Sequence, residues 1–179
     1  MKLLVLDNEF GIARLDVTER SGGKHRRHDR DGRPNAAPSR TASDLIDRSM
    51  KLLMLDDELG IARLDATDPT PAWAEGKLSS VTRAAEELSI VCAAAAIPAD
   101  VQAARGWRCL RVAGRLDFSL TGVLAAIAGP LAAAHVSIFA VSTYDTDYVL
   151  VPGESLRAAM EALSASGHEV VSERDRRNS

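Results

Sequence analysis

Residues 117–122 have the types and spacing of a backbone site for a small anion. They read Asp-Phe-Ser-Leu-Thr-Gly and precede an apolar stretch with helical spacing, so free N–H groups and the positive end of a helix dipole would face a carboxylate. The glycine would let a ligand come close to the backbone. We therefore assign the carboxylate of a small zwitterion to this segment, with the candidate contact residues Asp117, Phe118, Ser119, Leu120, Thr121 and Gly122.

A second polar segment, residues 143–147, has the groups that a cation requires. It reads Thr-Tyr-Asp-Thr-Asp and lies in a predicted turn between two apolar stretches. Carboxylates accept hydrogen bonds from an ammonium group and neutralise its charge. We assign the amine of the same ligand to Asp145 or Asp147, with Thr143 beside them.

Each of these residues also fits an ordinary structural role. Asp117 and Ser119 fit the N-cap of a helix, and Asp145 and Asp147 fit a tight turn. Gly122 fits close packing of a helix on a sheet, because glycine inside a helix otherwise costs about 1 kcal/mol relative to alanine. The sequence leaves both interpretations open at every position.

The rest of the sequence lacks a catalytic set. His25 and His28 lie in a polar segment and His168 lies at a predicted helix–strand junction, which leaves His135 alone. A nucleophile, a base and an orienting group must converge, and neither GxSxG nor a phosphate-binding glycine loop occurs. The two cysteines have no CxxC partner for a metal. We predict no enzymatic activity, no metal and no cofactor.

Composition excludes several classes of partner. The net charge of −3 gives no basic field for nucleic acid, and the local run KHRRHDR has no aromatic side chains for base stacking. No apolar run reaches the roughly 18 residues of a membrane span. The N-terminal LLVL is interrupted by Asp7, too early for a signal-peptide core. We predict a cytoplasmic protein that binds neither nucleic acid nor membrane.

The N-terminal segment contains a duplication. MKLLVLDNEFGIARLD at 1–16 returns as MKLLMLDDELGIARLD at 50–65 with three differences. Residues 17–49 are poor in large apolar side chains, which predicts a disordered linker. We interpret residues 1–49 as a duplicated or over-extended start. The alternative is that the first copy is a spare strand pair that exchanges with the second at a sheet edge.

From residue 50 onward the pattern predicts two sheet units. KLLMLD and GIARLD read as a hairpin with Gly60 in its turn, and a second hairpin is predicted at about 78–92, which together make a small unit over residues 50–104. Residues 105–173 then read as βαββαβ, with Val123, Ile127 and Leu131 facing the core and Pro130 bending or shortening the first helix. This order predicts an α+β, ferredoxin-like fold with both helices on one face of the sheet. Residues 174–179 are predicted to be a disordered tail.

Three stretches of this sequence, LSIVC, DFSLTG and HVSIFAVSTYDTDYVLV, resemble small stand-alone tandem-ACT proteins, which are related to aspartokinase regulatory domains and to cytosolic arginine sensors. The resemblance covers about 50–173. It implies a C-terminal ACT domain at 105–173 preceded by a degenerate ACT-like domain at 50–104. Two departures lie close to the predicted site: Arg115 stands where proline is frequent, and His135 stands in a loop that more often carries glycine.

The resemblance implies a regulatory protein that binds a free amino acid or a similar metabolite at the seam between two ACT units and performs no chemistry on it. A homodimer is the protein assembly that it allows. The alternative function is a structural or interaction module that dimerises through ACT sheets and has a vestigial ligand site.

Overall fold

The computed structural model describes residues 49–117 and 119–174. All of them belong to the second of two units into which the chain divides, residues 38–179. The predictions made for residues 1–48, for Phe118 and for residues 175–179 therefore lie outside the described residues. In the described part, no helix has the length and apolar character needed to cross a membrane.

Strands outnumber helices in the described part of the chain. The elements are, in order, β1 (Lys51–Met54), β2 (Leu59–Leu64), β3 (Ser80–Arg83), β4 (Leu88–Ala93), a 3-10 turn (Ala94–Ala96), β5 (Ala103–Val112), α1 (Val123–Ala133), β6 (Phe139–Ser142), β7 (Asp147–Pro152), a second 3-10 turn (Gly153–Ser155), α2 (Leu156–Ala165) and β8 (Glu169–Ser172). The strands form one sheet.

The elements from β5 to β8 confirm the predicted order βαββαβ. The antiparallel pairs β5–β7 and β6–β7 bring alternate apolar residues to one face of the sheet, and both helices pack there. Each fully buried Leu, Ile or Val contributes about 1.5–3 kcal/mol to this core. Its buried members are Leu52, Leu110, Val112, Val123, Ile127, Leu131, Val136, Val149, Val151, Ala159 and Leu163, which include the predicted helix stripe.

Strand β1 is inserted between the first and last strands of the βαββαβ unit. Leu52 pairs with Val112 of β5 in antiparallel register and with Val170 of β8 in parallel register. The sequence placed this strand in a separate N-terminal unit. Strand β5 also runs across the predicted boundary between residues 104 and 105. The division at that boundary stays a prediction about independent folding.

The predicted hairpin between β1 and β2 is wrong. Both strands pair antiparallel with β5, Met54 opposite Leu110 and Leu59 opposite Trp107, so they follow one another along the same edge. Strand β5 is ten residues long and offers partners to both. Leu55 N still donates to the Cys109 carbonyl of β5 at 2.9 Å, and residues 56–58 interrupt the pairing between the two strands. The second predicted hairpin is confirmed, since β3 pairs antiparallel with β4.

Gly60 does not serve a turn. It lies within β2, and a Cβ atom at this position would overlap Cδ1 of Ile97. A side chain at this position would force the terminal methyl group of Ile97, which packs against the strand backbone, to move.

Candidate functional site

The structure brings together the two segments to which the sequence assigned a ligand. The backbone N–H of Leu116 donates to the carbonyl oxygen of Asp145 at 2.7 Å, and Nε of Arg115 donates to Oδ1 of the same aspartate at 2.8 Å. The loop that leaves β5 therefore lies against the tip of the β6–β7 hairpin. Candidate groups for an anion and for a cation share one surface of the molecule.

Helix α1 begins without a side-chain cap. Its N-cap residue is Gly122, which has φ +80°, and the helical ladder starts with Ala126 N donating to Gly122 O at 2.9 Å. The N–H groups of the first turn, at Val123, Leu124 and Ala125, have no capping side chain. Glycine is needed here because side chains strain the left-handed conformation. The result is an uncapped helix N-terminus preceded by a residue that has no side chain to obstruct it.

Asp117 and Ser119 form a turn before the helix and do not cap it. Oδ1 of Asp117 accepts from the Ser119 N–H at 2.8 Å, and the Asp117 carbonyl accepts from Leu120 N at 2.9 Å. Hydrogen bonds from the side chain and backbone of Ser119 lower the pKa of Asp117, so this exposed carboxylate is ionised at neutral pH. The N-cap interpretation of both residues is wrong. Leu120 packs against the core while Thr121 is exposed.

The hairpin tip is held by its threonines. Thr143 N and Oγ1 both donate to the Thr146 carbonyl at 2.9 Å. Thr146 is buried, and its hydroxyl donates to the Val112 carbonyl of β5 at 2.9 Å. Sequence reasoning missed Thr146, because a threonine in an acidic turn carries no signal of burial. Asp147 already has a partner, since its Oδ1 accepts from the Ser142 hydroxyl at 2.6 Å.

Charge at this surface is predominantly negative. Asp117, Asp145 and Asp147 are accompanied by one guanidinium, that of Arg115. The side chains of the pair Arg115–Asp145 are 79% and 54% exposed, so water screens their attraction. A cationic group of a ligand would be attracted to this surface. To bind the Asp145 carboxylate it would have to compete with the guanidinium of Arg115.

Two clefts of the described surface lie elsewhere. One of about 450 Å³ is lined by Asp57, Glu58, Ala93, Ala94, Ala95 and Arg105. Another, of about 480 Å³, lies between α2 and β8 and is lined by Met160, Glu161, Ser164, Ala165 and Val170. The predicted ligand residues line neither of these clefts, and five of them are exposed in the single chain: Asp117, Ser119, Thr121, Thr143 and Asp145.

Groups with potential reactivity are dispersed or fully engaged in the described part of the chain. Burial raises the pKa of the Cys109 thiol to about 12, which keeps it protonated and unreactive. His168 is buried with both ring nitrogens in hydrogen bonds. Among residues 49–117 and 119–174, His, Cys, Asp and Glu side chains form no group of three or more that could hold a metal.

Together, the βαββαβ order and the two helices on one face of the sheet define a class: small α+β domains of the ferredoxin-like arrangement. Two family models match the chain, the ACT domain over residues 102–165 and an N-terminal domain over residues 57–100. The crystal structure of protein Atu0741 from Agrobacterium tumefaciens is 39% identical, with a TM-score of 0.67, and the match covers 70% of this chain and 95% of that one. The chain belongs to the ACT domain family.

Two further similarities are more limited. The structure of VC0802 from Vibrio cholerae is 20% identical, with a TM-score of 0.56, over 70% of this chain and 96% of that one, and shares the fold. The human cytosolic arginine sensor for mTORC1 subunit 1 is 43% identical over 58 residues, which is 32% of this chain. The matched segment spans only 18% of the length of that sensor.

Proposed function

We propose that this chain is a non-catalytic regulatory protein that binds a free amino acid or a similar small zwitterion at the surface formed by residues 115–117, 119–122 and 143–147. The observation that carries the proposal is the hydrogen bond from Leu116 N to Asp145 O, because it joins the two loops. The uncapped N-terminus of α1 suits the ligand carboxylate. The Asp145 carboxylate suits its ammonium group.

Family membership supports the ligand class. The sensor that shares 43% identity over 58 residues is named for arginine, and its name places it in the cytosol. We infer the same type of ligand and the same location for this chain. The regulatory and non-catalytic assignment is supported by the dispersal of reactive side chains in the described residues, since catalysis by nucleophile and base needs them to converge.

The exposure of the predicted ligand residues Asp117, Thr121 and Asp145 supports a two-unit site. A ligand between the α1 N-terminus and Asp145 would remain largely in water, which weakens each charged contact. We propose that a second ACT unit, supplied by another copy of the chain, covers the ligand. Ligand binding and self-association would then strengthen each other.

A thermal-shift screen of the full chain against the proteinogenic amino acids tests the proposal. A ligand at a hundredfold excess over its Kd adds about 2.7 kcal/mol to the free energy of unfolding and raises Tm. Asp145→Asn should abolish the response, and so should Gly122→Ala. The matched control is Glu161→Gln, an exposed carboxylate on α2, which should respond like wild type. No response to any amino acid would contradict the proposal.

The second candidate function is an interaction module whose ligand site is vestigial. Its supporting observation is that Arg115 already satisfies the carboxylate assigned to the ligand amine. This candidate predicts a dimer in analytical ultracentrifugation whose dissociation constant does not change with any amino acid. Tightening of the dimer by one amino acid would exclude it.

A further inference from the structure

We propose that Arg115 is a built-in competitor of the ligand, and that it sets the affinity of the site by holding the Asp145 carboxylate that the ligand ammonium must reach. This inference rests on the proposed function and deepens it. It selects Asp145 over Asp147 as the partner of the amine, and it gives a role to an arginine that the sequence marked only as a departure from the family.

The backbone position of Asp145 does not depend on the Arg115 guanidinium. The carbonyl oxygen of Asp145 accepts from Leu116 N at 2.7 Å, which fixes the residue through the backbone. The turn around it is closed by hydrogen bonds between Thr143 and Thr146. Removal of the guanidinium therefore leaves Asp145 at the hairpin tip, with its carboxylate available to another cation.

Asp145 differs from its acidic neighbours in the kind of partner it has. Oδ1 of Asp147 accepts from the Ser142 hydroxyl at 2.6 Å, and Oδ1 of Asp117 accepts from the Ser119 N–H at 2.8 Å. Both of these donors are neutral and close in sequence. The partner of Asp145 is the exposed guanidinium of Arg115, 30 residues away in the sequence. A ligand ammonium group can take the place of this guanidinium, and the Asp145 carboxylate then remains paired with one positive charge.

The exposure of the pair sets the size of the effect. Because the Arg115 and Asp145 side chains are 79% and 54% exposed, the pair is a surface ion pair of modest strength. Its displacement lowers ligand affinity by a factor of up to about five. The competitor therefore tunes the affinity without blocking the site.

The experiment is calorimetric titration of the full chain with each proteinogenic amino acid and, for each one that binds, with its N-acetyl derivative, which lacks the ammonium charge. Arg115→Gln is expected to raise the affinity for the free amino acid by up to about fivefold and to leave that for the N-acetyl derivative unchanged. Arg115→Lys keeps a cation at this position and should bind like wild type. The matched control is Arg157→Gln, which removes the same charge from the exposed surface of α2 and should have no effect.

Any of four results would overturn the inference. Weaker binding in Arg115→Gln would mean that the guanidinium contacts the ligand carboxylate, and unchanged binding would mean that it does not compete. An equal gain for the N-acetyl derivative would mean that it obstructs the site sterically. If neither wild type nor Arg115→Gln binds any amino acid, both the proposed function and the inference are wrong. If both bind an amino acid with the same affinity, only the inference is wrong.

Discussion

His168 Nε2 lies 3.1 Å from the carbonyl oxygen of Ala126, the carbonyl that Pro130 leaves without a helical donor. Proline 130 has no N–H to offer four residues back, yet α1 continues past it to Ala133 and is not cut short there. Nδ1 of His168 accepts from Met50 N at 3.2 Å, so Nε2 carries the proton and donates. One buried imidazole thus completes α1 and ties it to the residue that precedes β1.

His168→Ala should lower the free energy of unfolding by roughly 2–5 kcal/mol, because the Ala126 carbonyl and the Met50 N–H both lose their partner. Urea unfolding followed by circular dichroism measures the change. His135→Ala, at the exposed histidine that follows α1, is the control and should change stability by less than about 1 kcal/mol. Equal losses in the two variants would contradict the role given to His168.

Pro130→Ala should partly rescue the His168→Ala variant. Alanine at position 130 supplies an N–H for the Ala126 carbonyl once the imidazole is gone. Pro130→Ala should therefore raise the free energy of unfolding by about 1 kcal/mol more in the His168→Ala background than in wild type. A double-mutant cycle gives this coupling energy. Strict additivity would show that the histidine does not act through the proline-vacated carbonyl.

The two helices end in the same motif with different residues. Val136 N donates to Leu131 O after α1, and His168 N donates to Leu163 O after α2, at 2.9 and 3.0 Å. The residue in the left-handed conformation is His135 after α1 (φ +57°) and Gly167 after α2 (φ +82°).

His135→Gly should therefore stabilise the protein by about 1 kcal/mol, because only glycine adopts this conformation without strain. Gly167→Ala is the reciprocal variant and should destabilise by about the same amount, although no atom lies within 4 Å of the added Cβ. Calorimetric Tm values for both variants test the pair. A loss of stability in His135→Gly would show that the imidazole makes a compensating contact.

Gly60→Ala should destabilise the protein by about 1–3 kcal/mol, because the new Cβ overlaps Cδ1 of Ile97. Ile97→Val removes that methyl group, so the double variant should recover most of the loss that the added Cβ causes. Chemical denaturation of wild type, both single variants and the double variant provides the measurement. If Ile97→Val gives no rescue, the contact with Ile97 is not the reason that alanine is unfavourable at position 60.

The stability of the protein should fall in alkali because of Cys109. Its pKa is raised by burial to about 12 from 9.0, so the unfolded chain releases the thiol proton at lower pH than the folded chain. The contribution of this thiol is fully present below pH 9 and is lost as the pH rises toward 12, by a total on the order of 4 kcal/mol. Cys109→Ala removes this thiol, so its free energy of unfolding, measured by urea unfolding, should fall less over this pH range than that of wild type. Identical slopes would contradict the assignment.

Sequence reasoning succeeded where periodicity decides the answer. Residues 105–173 switch between strand and helix spacing at Val123 and again at Leu156, and the order βαββαβ follows from those switches. Periodicity defines the faces of a strand but not its partners. For that reason the acidic residues Asp56, Asp57 and Glu58 read as a hairpin turn, although they only interrupt the path of the chain along β5.

The candidate site was predicted in parts and not as a whole. The Asp-Phe-Ser-Leu-Thr-Gly and Thr-Tyr-Asp-Thr-Asp segments were both found, but the contact of Leu116 with Asp145 joins residues far apart in sequence and has no local signature. The ion pair of Arg115 was invisible for the same reason. Thr146 and His168 were missed because the burial of a polar side chain depends on the surrounding tertiary structure.

The insertion of β1 between β5 and β8 has a consequence for synthesis on the ribosome. Residues 50 and 51 emerge early, but their partners at 168 and 169 lie 118 positions later in the chain. The central sheet can close only after nearly all of the described chain has been made, and contacts this distant in sequence slow folding. Until β8 is made, the edge of β1 that faces it has no partner, and its backbone groups are open to chaperones or to a neighbouring nascent chain.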